Sequence, residues 1–365
     1  MQLDSEGFYR PVIDAEKCIQ CGACERACPW TKDVQNPNGS CDSPKAMAAY
    51  AKDDEIRLAS SSGGIFSVLA EKILDDGGVV VGVSQLSSTR FGHIVIDNKA
   101  DLEKLRGSKY VQANAGLIYK EVRNLLKEGR KVLFSGTPCQ VAALYSVLGN
   151  SKFENLWTVD IVCHGTPSVK VWEKFVDCMS KANGSSLNKM IFRDKSTGWG
   201  NYSLAHLFEN GKCLVVGHNQ SGYMKIFLSR ICQNTSCTEC RYRKLPRIAD
   251  ITLGDYWGVS NYHPEMNDDK GTSVVLLNTE HGGDIFNSIV EHIELCESKI
   301  EYAVAHNPCI VKSEAQHPRR AELFAELDSR SLNDLINKYC PFPPLHARIY
   351  RKIRGILGRV KRKLL

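Results

Sequence analysis

The run KVLFSGTPCQVAALYSVLGN, residues 131–150, decides the fold. Lys131–Phe134 has the apolar makeup of a short buried strand, SGTPCQ turns the chain, and Val141–Leu148 reads as a helix. The unit then repeats. Thr158–Val162 is a second strand, running into CHGTPS and a helix from about Val169. Upstream, SSSGGIFSVLAEKILDDGG (60–78) predicts a turn and a helix with Ile65, Phe66, Leu69, Ile73 and Leu74 on its apolar side, closed by Gly77–Gly78. VVVGV (79–83) is a further buried strand, and residues 116–128 read as a helix ending at Gly129. Downstream, ADITLGDYWG (249–258) is a strand ending in a glycine turn. This alternation predicts an α/β fold with a mainly parallel sheet and ligands at the carboxyl ends of its strands.

A chain of 365 residues has room for two or three domains. Its 43% hydrophobic and 24% charged residues are those of a globular protein and exclude a disordered or collagen-like chain. No apolar run approaches the ~18 residues that span a bilayer. MQLDSEGFYRP lacks the basic and apolar regions of a secretory signal, so a cytoplasmic location is expected. The net charge of +6 is concentrated: from Leu345 onward there are eight Lys/Arg and no acidic residue. The remaining body is nearly neutral, which argues against a general nucleic-acid-binding surface.

Fifteen cysteines in a chain without a visible signal point to metal or redox chemistry rather than disulfides. CIQCGACERACP places Cys18, Cys21, Cys24 and Cys28 in the C-x₂-C-x₂-C-x₃-C-P spacing of bacterial-type ferredoxins, which holds a 4Fe–4S cluster. In two-cluster ferredoxins the fourth cysteine ligates the other cluster, and only one motif is present here. Either Cys28 or Cys41 completes a lone cluster, or that cluster is incomplete. The preceding MQLDSEGFYRPVIDAEKC resembles the linker after a first such motif, as if the chain began at an internal methionine.

Cys139 and Cys163 each follow a strand, and SCTEC supplies Cys237 and Cys240. Together they could form a second four-thiolate site, for which iron–sulfur cluster, zinc and plain packing remain alternatives. SSSGG before a helix could cradle an anion or be a glycine turn. Lys109 and Tyr110 in GSKYVQAN could line a flavin or lie in a surface loop. His164 and Asp255, both at strand ends, are the candidate catalytic groups if a substrate needs protonation; a hydrogen-bonded loop histidine is the competing account of His164.

The ferredoxin motif, SSGGIFS, GSKYVQ, LFSGTPCQVAAL, VDIVCHGTPS, FRDKSTGW, SCTECRY and ITLGDYWG occur in that order between about Asp14 and Asn307. In these pieces the chain resembles the family of coenzyme F420 hydrogenase/dehydrogenase beta subunits. That resemblance implies an iron–sulfur flavoprotein oxidoreductase, passing electrons between 4Fe–4S clusters and FAD to the deazaflavin coenzyme F420 or another organic acceptor. It implies that Cys139, Cys163, Cys237 and Cys240 hold a core 4Fe–4S cluster, and that Ser62, Gly63, Gly64, Lys109, Tyr110, Thr137, Gln140 and Gly165 surround FAD. The expected organisation is a ferredoxin-like segment at 1–45, a flavin- and cluster-binding core at 46–310, and a helical segment at 311–365. The expected partner is a ferredoxin or another oxidoreductase subunit. Two alternatives to the deazaflavin reading are an electron-transfer subunit serving a partner enzyme and a flavin-dependent reductase of a sugar- or isoprenoid-linked intermediate.

In the tail, Ile349, Ile353, Ile356, Val360 and Leu364 recur at helical spacing among the basic residues. A basic amphipathic helix of this kind could pack on the body, dangle as a charged tail, or make peripheral membrane contact at the inner membrane surface.

Overall fold

The structure, a computed structural model, describes residues 1–41 and 43–342. The basic tail from Leu345 lies outside the described residues.

A small hairpin, β1 (Gln2–Leu3) with β2 (Tyr9–Arg10), precedes the cysteine motif and its short helix, Ala23–Ala27. The main sheet then takes strands from across the chain: β3 (Lys45–Ala51), β4 (Val79–Gln85), β5 (Phe91–Ile96), β6 (Val132–Gly136) and β7 (Leu156–Ile161). An insertion forms the antiparallel sheet β8 (Leu187–Asp194), β9 (Ser203–Phe208) and β10 (Cys213–Gly217). The main sheet is completed by β11 (Ile251–Asp255), β12 (Ser273–Leu277) and β13 (Ile293–Ser298). Its order is β13-β3-β12-β11-β7-β6-β4-β5. The expected parallel core is its centre, β11-β7-β6-β4, and antiparallel strands extend it at both edges.

The parallel strands are apolar on both faces because helices cover both. On one face Val80, Leu133, Val159 and Ile251 pack against Leu69 and Ile73 of the Ile65–Asp75 helix. On the other, Val79, Val81, Val132 and Phe134 meet Val122 and Leu126 of the Ile118–Lys127 helix and Val141 and Leu144 of the Pro138–Val147 helix. The last of these begins three residues earlier than its apolar spacing predicts. Pro138 fits the first helical turn, and Gln140 Oε1 accepts from the Thr137 amide at 2.9 Å.

A second core forms around the insertion. Trp172 and Phe175 of the Val169–Asn183 helix, Phe192 of β8 and Tyr223 of the Gly222–Leu228 helix pack with Leu323, Leu332 and Leu335 of the C-terminal helices. The hairpin at the amino terminus joins it: Arg320 donates to both Glu6 carboxylate oxygens, and Phe8 packs on Phe324. Among the described residues no helix is long and apolar enough to cross a membrane.

One buried ion pair fixes the loop that leaves the second core for β11. Arg247 Nη2 lies 3.1 Å from Asp160 Oδ2 with both side chains fully buried, and its other donors reach the carbonyls of Tyr242, Ile161 and Ile310. Removing one partner of such a pair leaves a desolvated charge. Arg247→Ala should therefore cost about 3–5 kcal/mol, read as a lower urea midpoint of the anaerobically purified protein. The double change Arg247→Met with Asp160→Asn should cost less than Arg247→Ala alone.

Candidate redox site

The four core cysteines come from three loops at one end of the parallel strands. Cys139 opens the helix after β6, and Cys163 follows β7. The segment carrying Cys237 lies along the Cys163 loop: Asn234 N donates to Thr166 O at 2.8 Å, Gln233 Nε2 to His164 O at 2.7 Å, and Ser168 N to Cys232 O at 2.9 Å. Gly165 permits this approach, since a Cβ there would sit 2.6 Å from the Gln233 side chain, and its φ of +114° disfavours other residues. Cys240 is held by its amide, which donates to Ser313 Oγ at 3.1 Å.

Burial and neighbouring thiols push the Cys139 pKa up to about 12, and burial raises Cys163 and Cys237 as well. Enclosed thiols that raise one another's pKa need a cation among them to ionise. Donors already face the sulfurs: Thr137 Oγ1 at 3.2 Å from Cys139 Sγ, Gly165 N at 3.4 Å from Cys163 Sγ, and Thr166 N at 3.3 Å from Cys237 Sγ. Such contacts suit a cluster held by thiolates. Four half-buried thiols already met by hydrogen-bond donors are a donor set that fits an iron–sulfur cluster.

Cys18, Cys21 and Cys24 are exposed and Cys28 is half-buried. Gly22, at φ +67°, starts the short helix between them. The motif is docked on the core: Tyr242 Oη donates to Pro29 O at 2.8 Å, Ser146 Oγ to Arg26 O at 3.2 Å, and Arg241 lies over Trp30. The Cys41 amide donates to Asn278 O, just past the end of β12, at 2.7 Å.

The residues expected around a flavin fall into two groups. Thr137, Gln140 and Gly165 belong to the thiol loops. Ser62, Gly63, Gly64, Lys109 and Tyr110 lie together elsewhere on the same edge: Ser108 donates to Ser61 Oγ at 2.7 Å, joining the two loops. Gly63 is pressed against Ala49 O and Ser273, so its lack of a side chain serves packing. Gly64, at φ +87°, starts the Ile65–Asp75 helix, whose first turn has no side-chain cap. An uncapped helix start is suited to phosphate.

Two lysines flank that turn. Lys109 Nζ donates to the carbonyls of Leu105 and Arg106, each at 2.8 Å, and Lys195 Nζ to those of Arg57, Ser62 and Lys270 at 2.6–2.8 Å. Burial pulls both pKa values down to about 7. Among the described residues neither ammonium has a carboxylate partner. An anionic group at this turn would restore their charge, so the residues present fit the diphosphate of FAD. Tyr110 stacks on Phe227, and its hydroxyl accepts from Arg193 at 3.4 Å.

Asp255 is not free to act as an acid. Arg193 grips both its oxygens, at 2.6 and 3.0 Å, and Trp199 Nε1 donates to it at 2.8 Å. A carboxylate committed to a guanidinium serves to hold it, which makes Asp255 a positioning group for Arg193. His164 is a half-buried loop histidine whose partial burial lowers its pKa, its Nε2 3.8 Å from Cys309 Sγ. The motif FRDKSTGW contains Arg193 and Lys195, but sequence reasoning singled out neither, and it missed His93. The His93 ring nitrogens are shielded from solvent, the ring stacks on Phe134 of β6, and burial drives its pKa down to about 4 against a weak contact with the Ser135 backbone. The one available signal was a lone histidine inside the apolar run FGHIVI.

Comparison with known proteins identifies the family. Residues 46–117 match the N-terminal model, and residues 129–302 the C-terminal model, of the coenzyme F420 hydrogenase/dehydrogenase beta subunit. Residues 9–30 match a 4Fe–4S binding domain. An uncharacterized protein of Methanocaldococcus jannaschii is 30% identical over 151 residues, 38% of this chain and 41% of that protein. One of the subunits of the F420H2 dehydrogenase of Methanosarcina mazei is 22% identical over 188 residues, 51% of this chain and 52% of that one. The chain thus spans about half or less of the curated relatives it matches. A chain of the F420-reducing [NiFe] hydrogenase complex from Methanosarcina barkeri shares the fold, with a TM-score of 0.50 and 19% identity over 84% of this chain and 94% of that one. The protein belongs to the family of coenzyme F420 hydrogenase/dehydrogenase beta subunits.

The two thiol sets should be separable by mutation. Cys240→Ser should lose about four irons per chain while the N-terminal set keeps its own, and Cys21→Ser should do the converse. Anaerobic iron and sulfide analysis reads both; full iron in Cys240→Ser would remove that residue from the ligand set.

Proposed function

From this family membership we propose that the chain is an iron–sulfur flavoprotein subunit that exchanges electrons between a partner oxidoreductase and an organic acceptor, coenzyme F420 in the first instance. The observation that carries the reading is the shared strand edge: four half-buried thiols at one part of it and, at another, an uncapped helix start flanked by two buried lysines that have only carbonyl partners. When bound, 4Fe–4S clusters supply one-electron exchange, and FAD couples it to two-electron chemistry.

The residues have distinct tasks in this reading. Cys18, Cys21, Cys24 and Cys28 hold the outer cluster, with Cys139, Cys163, Cys237 and Cys240 holding the core one. The exposure of Cys18–Cys24, with Ile19 at 85%, suits access from a partner protein. The Ser62–Gly64 turn, Lys109 and Lys195 bind the flavin diphosphate. Arg193, held by Asp255 and backed by the Tyr202 and Trp257 rings, keeps a fixed positive charge beside Tyr110. The electron-transfer-subunit reading shares all these parts and differs in having no organic acceptor. Anaerobic protein should carry iron, acid-labile sulfide and FAD, and reduced F420 should bleach the flavin. A flavin that only a partner protein reduces would favour the alternative, and zinc without sulfide would end both.

The lysines give a pH signature. Both have pKa values near 7 in the free protein, and a bound diphosphate raises them, so binding takes up protons above neutral pH. FAD affinity should therefore fall as pH rises from about 6 to 9. Lys109→Met and Lys195→Met should each weaken FAD by roughly 10–100-fold and flatten that dependence. Riboflavin, lacking the diphosphate, should show little of either effect, and fluorescence titration measures both ligands.

A further inference from the structure

Away from both thiol sets, the far edge of the main sheet carries another group of metal-ligating atoms. Cys296 lies on the edge strand β13, paired to Ala48 of β3. His263 and Glu265 come from the turn that follows β11 and its short helix, Val259–Tyr262. His263 Nδ1 is 3.4 Å from Cys296 Sγ and 3.8 Å from Glu265 Oε1, and all three ligand atoms lie within 4.8 Å of one another.

We propose that His263, Glu265 and Cys296 bind one zinc-type divalent cation, a site independent of the redox reading above. The spacing is the first argument. A tetrahedral zinc with bonds of about 2.0–2.3 Å puts its nitrogen roughly 3.6 Å from its sulfur and roughly 3.3 Å from its oxygen. The observed 3.4 and 3.8 Å lie within about half an ångström of these separations.

The orientation of the imidazole is the second, independent argument. His263 Nε2 is 2.8 Å from Ser298 Oγ, which is itself 2.5 Å from Tyr256 Oη. With its proton on Nε2 donated to Ser298, the ring presents the Nδ1 lone pair to Cys296 and Glu265. A second nitrogen engaged in this way is what fixes ligating histidines. Tyr256 is fully buried and its ring meets His263 edge-on, so the relay is held by the core.

The charges are the third. Glu265 has no lysine or arginine partner among the described residues. Once Cys296 loses its proton, its thiolate and the Glu265 carboxylate carry two negative charges, which a divalent cation neutralises. Binding forms the Sγ, Nδ1 and carboxylate bonds, releases the thiol proton to solvent, and leaves water as fourth ligand. Glu265 is exposed, which gives the ion entry. An imidazole–thiolate–carboxylate set suits zinc better than magnesium or calcium, which prefer oxygen. The ion would tie the edge strand to the turn behind Trp257, whose ring stacks on Trp199 at 5.0 Å.

The test uses the anaerobic, cluster-loaded full chain. After Zn²⁺ addition and gel filtration, elemental analysis should find about one zinc per chain with iron unchanged, and Zn²⁺ should protect Cys296 from alkylation. His263→Gln and Cys296→Ser should lower zinc retention at least tenfold. Should either fail to fold, the exposed Glu265→Gln is expected to fold normally and still weaken zinc by at least tenfold. Zinc retained equally in all three variants, zinc gained only as iron is lost, or no zinc retained at all would overturn the site.

Discussion

The placement of the core thiols depends on the buried Arg247–Asp160 pair. Arg247 spends its donors on a strand-borne carboxylate and on carbonyls of three separate segments, among them Tyr242 and Ile161. One anchor therefore registers the SCTECRY loop against the end of β7, only two residues before Cys163. Asp250 does similar work nearby. Its carboxylate accepts from Thr158, Asn36, Asn38 and Thr279, which ties the linker after the cysteine motif to the sheet. A fully buried carboxylate without a cation survives on such saturation by donors. Loops with few apolar contacts of their own are thus fixed against the sheet.

The second core answers a different demand. A parallel sheet offers only loops at its carboxyl edge, and the insertion of β8–β10 brings charged groups back over that edge. Arg193 lies near the end of β8 and Lys195 just past it, where one meets Asp255 and the other the Ser62 carbonyl. The insertion is held in turn by the Arg320–Glu6 pair, which also contacts Gln233 beside the Cys163 loop. Distant ends of the chain therefore share responsibility for one edge.

The parallel centre was legible because KVLFSGTPCQVAAL and TVDIVCHGTPS carry strand, turn and helix signals in adjacent residues. The edges were not. β3 is KAMAAYA, whose alanines carry no strand preference, and its neighbours β12 and β13 come from more than two hundred residues away. The insertion was hidden for another reason: β8 has register irregularities at Leu187/Lys189 and Ile191/Asp194, which break the period of two. The cysteines proposed as ligands stand out in the sequence by their spacing and by the resemblance. Arg193 and Lys195 could not, because charged residues are read as surface until a partner is known. Asp255 was visible at its strand end, but its role follows from the guanidinium that binds it.

The same geometry explains how the two thiol sets of the proposed function are linked. Cys28 is followed by Pro29, whose carbonyl accepts from Tyr242, two residues beyond Cys240. The path from one set to the other is thus a short covalent stretch on each side of a single hydrogen bond. Arg247 fixes the Tyr242 carbonyl, so the ion pair that registers the core thiols also sets the phenol that holds the outer motif. Docking of that motif otherwise rests on contacts such as Ser146 to Arg26 and Arg241 over Trp30, each modest by itself. A small segment with few buried apolar residues cannot hold its own position by hydrophobic burial. Its separation from the core is therefore imposed by the core, through Tyr242.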